Sequence, residues 1–258
     1  MSPPAISVIV PAHNGAAFYR SAADSIELQQ CTELEIIVVD DGSIDGLENI
    51  VRNRTPAARY VRQEQRGPAA ARNTALRLAS SDLIAFLDID DIWAEGHLAR
   101  LCEALQQHPD AGFAQGLVRQ FVVLPDGGRL LSGTYRMPYL GACLFRRSVF
   151  RQCGGFDEEM QMGEDYDLIV RCWEHDIPKE DVGEVSLLYR RHQGNMTRGK
   201  NRSSNLAVLQ RRMRRIRAGA TNPAAPRRFV FESYIGEIRN FAETQVEMPG
   251  QWNPSSAS

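Results

Sequence analysis

The sequence predicts an α/β fold with a mostly parallel central sheet, helices on both faces and a helical C-terminal extension. Two observations carry the prediction. Apolar, β-rich runs of four to eight residues alternate with helix-spaced segments over the first third of the chain, the pattern of βαβ units. Three of those runs end in polar clusters, "PAHNG", "DDGSID" and "DIDD". In an open parallel sheet, ligands sit beyond the carboxyl ends of the strands, where these clusters fall.

The elements follow in order. "AISVIVPA" is a continuous apolar run, as a strand buried on both faces requires. "AAFYRSAADSIELQQ" brings Phe18, Ala22, Ser25 and Ile26 to one helical face. "LEIIVVDDGS" is a second buried strand and "IDGLENIVRN" a helix; "ARYVRQ" and "GPAAARNTALRLAS" repeat the pair, and "DLIAFLDID" is the fourth strand. "EGHLARLCEALQQHP" is a helix closed by Pro109. Two β segments then meet at the turn "PDGG". "RRSVFRQCGGF" is a short helix ended by paired glycines, "EDYDLIVRCWEHD" a longer one, and "EVSLLYRRH" a strand. From Arg198 to Phe231 there are ten Arg or Lys and no acid. The final "WNPSSAS" reads as a frayed tail.

At 258 residues the chain fits one large domain with an appendage: residues 1–197 as the catalytic unit, divided near 93, and 198–258 as a basic extension. With 24% charged residues and a formal net charge of -2, it is not built mainly to hold nucleic acid. The five cysteines are odd in number, scattered and free of CxxC pairs, which indicates neither a disulfide framework nor a zinc site. No apolar run reaches the roughly 20 residues of a membrane span, and the N-terminus lacks a basic leader region. A soluble cytoplasmic protein is expected.

Chemistry concentrates in a few places. Asp88, Asp90 and Asp91 crowd the end of a buried strand, where unpaired carboxylates repel one another and are costly to bury. A hard divalent cation, which takes one or two carboxylates plus phosphates and water, relieves that cost; the alternative is a solvated loop with Asp91 capping a helix. Asp40 and Asp41 end the second strand, and Gly42 and Ser43 there suit a tight turn. Arg72 opens a helix and matches diphosphate geometry, or is a surface arginine. Glu164 and Asp165 stand at a helix start, where acids favour the dipole or Asp165 serves as a general base. Arg190 and His192 share a strand face, and His192 is open to a metal or a phosphate role. Neither GxGxxG nor a phosphate-binding GxxxxGK(S/T) loop is present.

Taken together, "SVIVPAHN", "IIVVDDGSIDG", "GPAAARN", "FLDIDD", "GGFDE", "GEDYDL" and "YRRHQGN" resemble, in order, the motifs of the family 2 glycosyltransferases, inverting enzymes with the GT-A nucleotide-diphospho-sugar transferase fold. The resemblance runs from about Ile6 to Thr197. It implies a nucleoside pocket walled by Pro11, Ala12 and His13, with Asn14 and Ile89 beside them. It makes Asp41 the acceptor for the base N–H, with Asp40 adjacent. It gives Arg72 a nucleotide or diphosphate contact, and makes Asp88 and Asp90 the outer acids of a DxD motif, with Asp90 the direct ligand of Mn2+ or Mg2+. Asp165, with Glu164, becomes the base; Arg190 and His192 form a later element near the diphosphate, His192 as a metal ligand or a phosphate contact. The processive signature QxxRW is missing, which implies single sugar additions.

The expected function is metal-dependent transfer of one sugar from a nucleotide-sugar donor, a UDP-sugar favoured, to a glycan, lipid-linked glycan, small molecule or peptide. A sugar-phosphate nucleotidyltransferase needs a glycine-rich loop with a lysine after the first strand, which "PAHNGAAFYR" does not supply. A non-catalytic nucleotide binder has no use for the Glu164–Asp165 pair. Nucleic acid as a partner is disfavoured by the charge balance; a homo-oligomer stays open. For "LQRRMRRIR" two placements are weighed: a basic helix on the inner membrane face, or packing on the catalytic unit through Leu206, Leu209, Met213 and Ile216, which is preferred.

Overall fold

A computed structural model describes residues 5–29, 33–124, 127–195, 201–222 and 227–236; the expected tail at 252–258 lies outside them. Strand β1 (Ile6–Ala12) is buried throughout because its apolar run faces helices on both sides. It is followed by α1 (Ala16–Glu27), β2 (Leu34–Asp41), α2 (Leu47–Arg54), β3 (Arg59–Gln63), α3 (Pro68–Leu78) and β4 (Leu83–Phe86). The proline at the head of α3 has φ already suited to a first helical position and no N–H to leave unpaired. Then come β5 (Ile92–Trp93), α4 (His97–Gln107), β6 (Phe113–Val123), β7 (Arg129–Tyr135), β8 (Cys143–Arg146), α5 (Arg147–Cys153), α6 (Glu164–Glu174), β9 (Lys179–Arg190), α7 (Asn201–Arg217) and α8 (Phe231–Ile235).

Among the described residues one sheet runs β3-β2-β1-β4-β8-β6-β9-β5, with β7 paired to β6. The expectation of a mostly parallel sheet holds for β3, β2, β1 and β4. Beyond β4 the sheet is mixed: β8 is antiparallel to both β4 and β6, and β9 runs parallel to β6. Two antiparallel steps restore the direction, so β9 finishes at Arg190 on the same edge at which β1, β2 and β4 finish. That edge carries every polar cluster singled out in the sequence.

Two apolar layers, one on each face, hold the sheet. Val8, Val10, Val38 and Ala85 join α1 and α4, while Ile9, Ile37, Val39 and Phe86 join α3 and α6. Alternation along each strand is what sends neighbouring residues to opposite layers. Burial of this kind contributes about 25 cal/mol per Å2 of apolar surface.

The C-terminal helix differs from expectation. Leu206, Leu209 and Met213 are 55%, 52% and 41% exposed, so they are not its anchor. Helix α7 docks through buried Val208 and through arginines instead: Arg211 meets Asp157 and Glu159, Arg212 meets Glu174, and Arg215 meets Asp167 and Glu174. Glu174 and Asp167 are almost fully buried on α6. Buried carboxylates demand charged partners, and that demand outranks the apolar spacing of the helix. No helix of the described residues is long and apolar enough to cross a membrane.

Candidate active site

The loop after β1 is tied to the loop after β2. The backbone N–H of Asn14 donates to Ser43 Oγ (2.9 Å), and Asn14 Oδ1 accepts from the Ile44 N–H (2.9 Å). Asn14 takes a left-handed backbone (φ 51°), which asparagine tolerates better than most residues. His13 Nδ1 lies 2.8 Å from the Asp41 carbonyl and its Nε2 lies 3.0 Å from Asn14 Nδ2. Gly15 is required by close approach: a Cβ there would stand 2.6 Å from Ile89 Cγ2. Pro11 and Ala12 are buried at the end of β1 beneath this turn.

The two aspartates of β2 have separate tasks. Asp40 has no exposed surface; it accepts from the Ser43 N–H (2.7 Å), from Tyr60 Oη and from Arg62 Nη1 (3.0 Å). Burial raises its carboxyl, but the Ser43 and Tyr60 bonds and the Arg62 charge prevail and hold it below the usual carboxylate range. Enclosed in this way, Asp40 shapes the turn that follows β2. Asp41 accepts from Gln63 Nε2 (2.8 Å) and from the Arg66 and Gly67 N–H groups (2.9 and 2.7 Å). It thereby fixes the entry to α3, and with it Arg72.

Arg72 is 5% exposed and forms a bridge rather than a surface contact. One arm donates to Asp88 Oδ1 (2.7 Å), beyond β4, and the other to Glu164 Oε1 at the head of α6. Its guanidinium also lies 5.7 Å from the Phe156 ring centre. Arg72 thus links the two acidic clusters. Planar guanidinium geometry allows both bonds at once.

Helix α6 starts after Gly163, whose φ of 83° is a conformation that favours glycine. This turn sets Glu164 and Asp165 side by side in the first turn. Glu164 is buried against Arg72. Burial, reinforced by the Glu164 charge, pushes the Asp165 carboxyl up to about 7, against the Arg72 charge and the Tyr166 N–H that Asp165 accepts. A carboxylate poised there is suited to taking a proton near neutral pH.

The third corner comes from the end of β9. Arg190 donates through its N–H to Asp91 Oδ1 (2.8 Å), through Nε to the Asp90 carbonyl (2.7 Å) and through Nη2 to Ser21 Oγ (2.8 Å). Its guanidinium lies 5.3 Å from the Phe18 ring centre and 4.7 Å from that of Phe121. His192 Nε2 stands 2.9 Å from Asp90 Oδ2, its ring 4.7 Å from that of Phe18. Burial, with the charges of Asp90 and Asp88, pushes the Asp91 carboxyl well above its ordinary value, against the Arg190 N–H. Neither Asn195 nor Phe18 was expected among the site residues. Asn195 receives the His192 N–H (2.6 Å) and donates to the Arg190 carbonyl (3.0 Å), so it shapes the turn that presents the imidazole. In the sequence Asn195 closes the motif "YRRHQGN" as part of a Gly-Asn pair just past a strand, and turns of that kind are common.

Among the described residues no group of three or more His, Cys, Asp or Glu side chains is gathered to hold a metal unaided. Asp90 and His192 nevertheless supply one carboxylate and one imidazole in contact. That donor set fits a divalent ion whose remaining ligands are phosphate oxygens and water.

Comparison with known proteins gives the family and the fold. Residues 7–139, just over half of the chain, match Glycosyl transferase family 2. The chain therefore belongs to glycosyl transferase family 2. It is 29% identical over 248 residues to the succinoglycan biosynthesis protein ExoU of Rhizobium meliloti, covering 85% of this chain and 71% of that protein. With the pre-mycofactocin glycosyltransferase of Mycobacterium tuberculosis it shares 31% identity over 198 residues, 65% of this chain and 38% of the relative. The mannosyltransferase PcManGT of Pyrobaculum calidifontis, solved with GDP-Man and Mn2+, superposes with a TM-score of 0.65 at 22% identity, over 86% of this chain and 66% of that one. TarS of S. aureus (residues 1–349), solved with UDP-GlcNAc, gives a TM-score of 0.63 at 21% identity, over 76% of this chain and 61% of that one. The fold is that of these glycosyltransferases.

Proposed function

We propose that the chain moves a single sugar from a nucleotide-sugar donor, a UDP-sugar favoured, to an acceptor by one direct displacement that inverts the anomeric centre. The observation that supports this most is the convergence on one sheet edge of two acidic clusters linked by Arg72, with Asp165 held near neutrality. Neighbours of the same fold were solved with UDP-GlcNAc and with GDP-Man and Mn2+, which supports a nucleotide-sugar donor here.

In this reading the turn of Pro11, Ala12, His13 and Asn14, with Asp41 and Ile89, borders the nucleoside. A Mn2+ or Mg2+ ion would be held by Asp90 and His192 and would supply charge neutralisation for the departing diphosphate. Arg190 fixes Asp90 and Asp91 from the far side. Asp165 takes the proton from the acceptor hydroxyl as that oxygen attacks the anomeric carbon, opposite the leaving group, and Glu164 with Arg72 holds α6 in place. Charge at the anomeric carbon is oxocarbenium-like, as in other glycosyl displacements. The acceptor is a glycan, lipid-linked glycan, small molecule or peptide, shaped by residues 94–197.

Configuration of the product tests the displacement. An α-linked UDP-sugar should give a β-linked product, read from the anomeric proton coupling in NMR. A product of retained configuration would exclude a single displacement with Asp165 as base.

A further inference from the structure

A recess of about 620 Å3 lies between α3, α5, α6 and α7, behind the site just described. Its size is within the range of small-molecule pockets. Five arginines, Arg77, Arg171, Arg211, Arg214 and Arg215, line it against two acids, Asp157 and Asp167. Glu159 and Glu174 stand just beyond, with Arg212, and counting them leaves six guanidiniums facing four carboxylates. The cationic excess is not what holds α7 in place, because the arginines differ in what they do. Arg211 and Arg215 are spent on carboxylates. Arg77 is exposed and bonded to Thr74 Oγ1 (2.9 Å), with no carboxylate partner among the described residues. Arg214 is 67% exposed and reaches Glu159 only at 3.8 Å.

Deeper in the wall, donors are left over. Arg171 is 7% exposed; its Nε is paired with Asp167 and its Nη1 with the Cys153 carbonyl, but its Nη2 has no partner. Arg215 Nη2 is likewise buried and unpartnered. Leaving a buried charged donor unmet is costly, and an anion with several acceptor oxygens answers donors of this kind better than any neutral ligand. Phe156 lines the recess and also lies against Arg72, so the recess backs directly onto the site without sharing its acids.

We infer that this recess is a second binding site, for a phosphate group, separate from the nucleotide-sugar site. The phosphate belongs either to a soluble phosphorylated compound or to a lipid headgroup. Arg77 and Arg214 meet it at the exposed rim, and Arg171 and Arg215 from within after small side-chain shifts. No chemistry on the ligand is involved.

The test titrates the full chain, labelled at arginine Nε, with inorganic phosphate in metal-free buffer while NMR follows the Nε–Hε signals. In parallel, the chain is sedimented with vesicles of phosphatidylcholine alone or with added phosphatidic acid. Saturable shifts of the Arg171 and Arg215 signals, weakened about tenfold or more in Arg77→Gln/Arg214→Gln at unchanged melting temperature, support the site for a soluble phosphate. Sedimentation only with phosphatidic acid, lost in the same double variant, supports the headgroup. Shifts confined to Arg72 and Arg190, binding unaltered in the double variant, or no binding to either probe would overturn the inference. Both substituted residues are exposed and outside the transfer site, so the variant keeps the fold.

Discussion

Asp165→Asn is expected to slow sugar transfer by about 10²–10⁴-fold, the contribution of a positioned general base. Nucleotide affinity should stay nearly unchanged, because the residue sits at the head of α6 and not in the turns after β1 and β2. Asparagine has the shape of aspartate but cannot take the acceptor's proton. The pH profile follows with a definite sign. Burial and Glu164 push the Asp165 carboxyl up to about 7, so above that pH it is the carboxylate and competent. As pH falls below it the base becomes protonated, and the rate should drop about tenfold per unit. A rate flat between pH 5 and 8, or a variant with full turnover, would remove Asp165 from the role. The readout is initial rate against pH at saturating donor.

Arg72→Met is expected to cost about 3–5 kcal/mol of stability, the range for removing one partner of a buried ion pair. Methionine fills much of the volume, so the loss reports on charge. Glu164, whose side chain is 8% exposed, is left as an unpaired buried carboxylate. Asp88, at 47%, can turn to water and suffers less. Arg72→Lys keeps the charge but not two bonds in fixed directions, and should fall between the two. Urea unfolding with an unchanged m-value measures both variants. A loss under about 1 kcal/mol for Arg72→Met would mean that the bridge does not organise the site.

The ends of β1, β2 and β4 were legible in the sequence because each is an apolar run breaking into polar residues, and burial dictates that pattern directly. Helix α6 was legible from its acids and its spacing. The order of the second half was not. Strand β8 inserts antiparallel between β4 and β6, and nothing in the four residues Cys143–Arg146 states a partner. Arg72 and Glu164 lie 92 positions apart, so only the folded chain shows that the arginine is spent on protein acids. Asp40 and Asp41 look alike in "DDGS", yet alternation along β2 sends one to a sealed cluster and the other to the head of α3. The seam of α7 misled for a physical reason. Its apolar residues suggested a core face, but the acids of α6, Asp167 and Glu174, recruited the arginine face instead.

The reading of the site turns on whether Asp90 and His192 bind a nucleotide diphosphate through a metal. Calorimetry of UDP, GDP and dTDP against the native chain and Asp90→Ala, with and without Mn2+, measures that directly. The expected result is one nucleotide, UDP, bound about tenfold or more tighter with Mn2+, the gain disappearing in Asp90→Ala. Equal affinity with and without Mn2+, or no binding of any of the three in either condition, would contradict it.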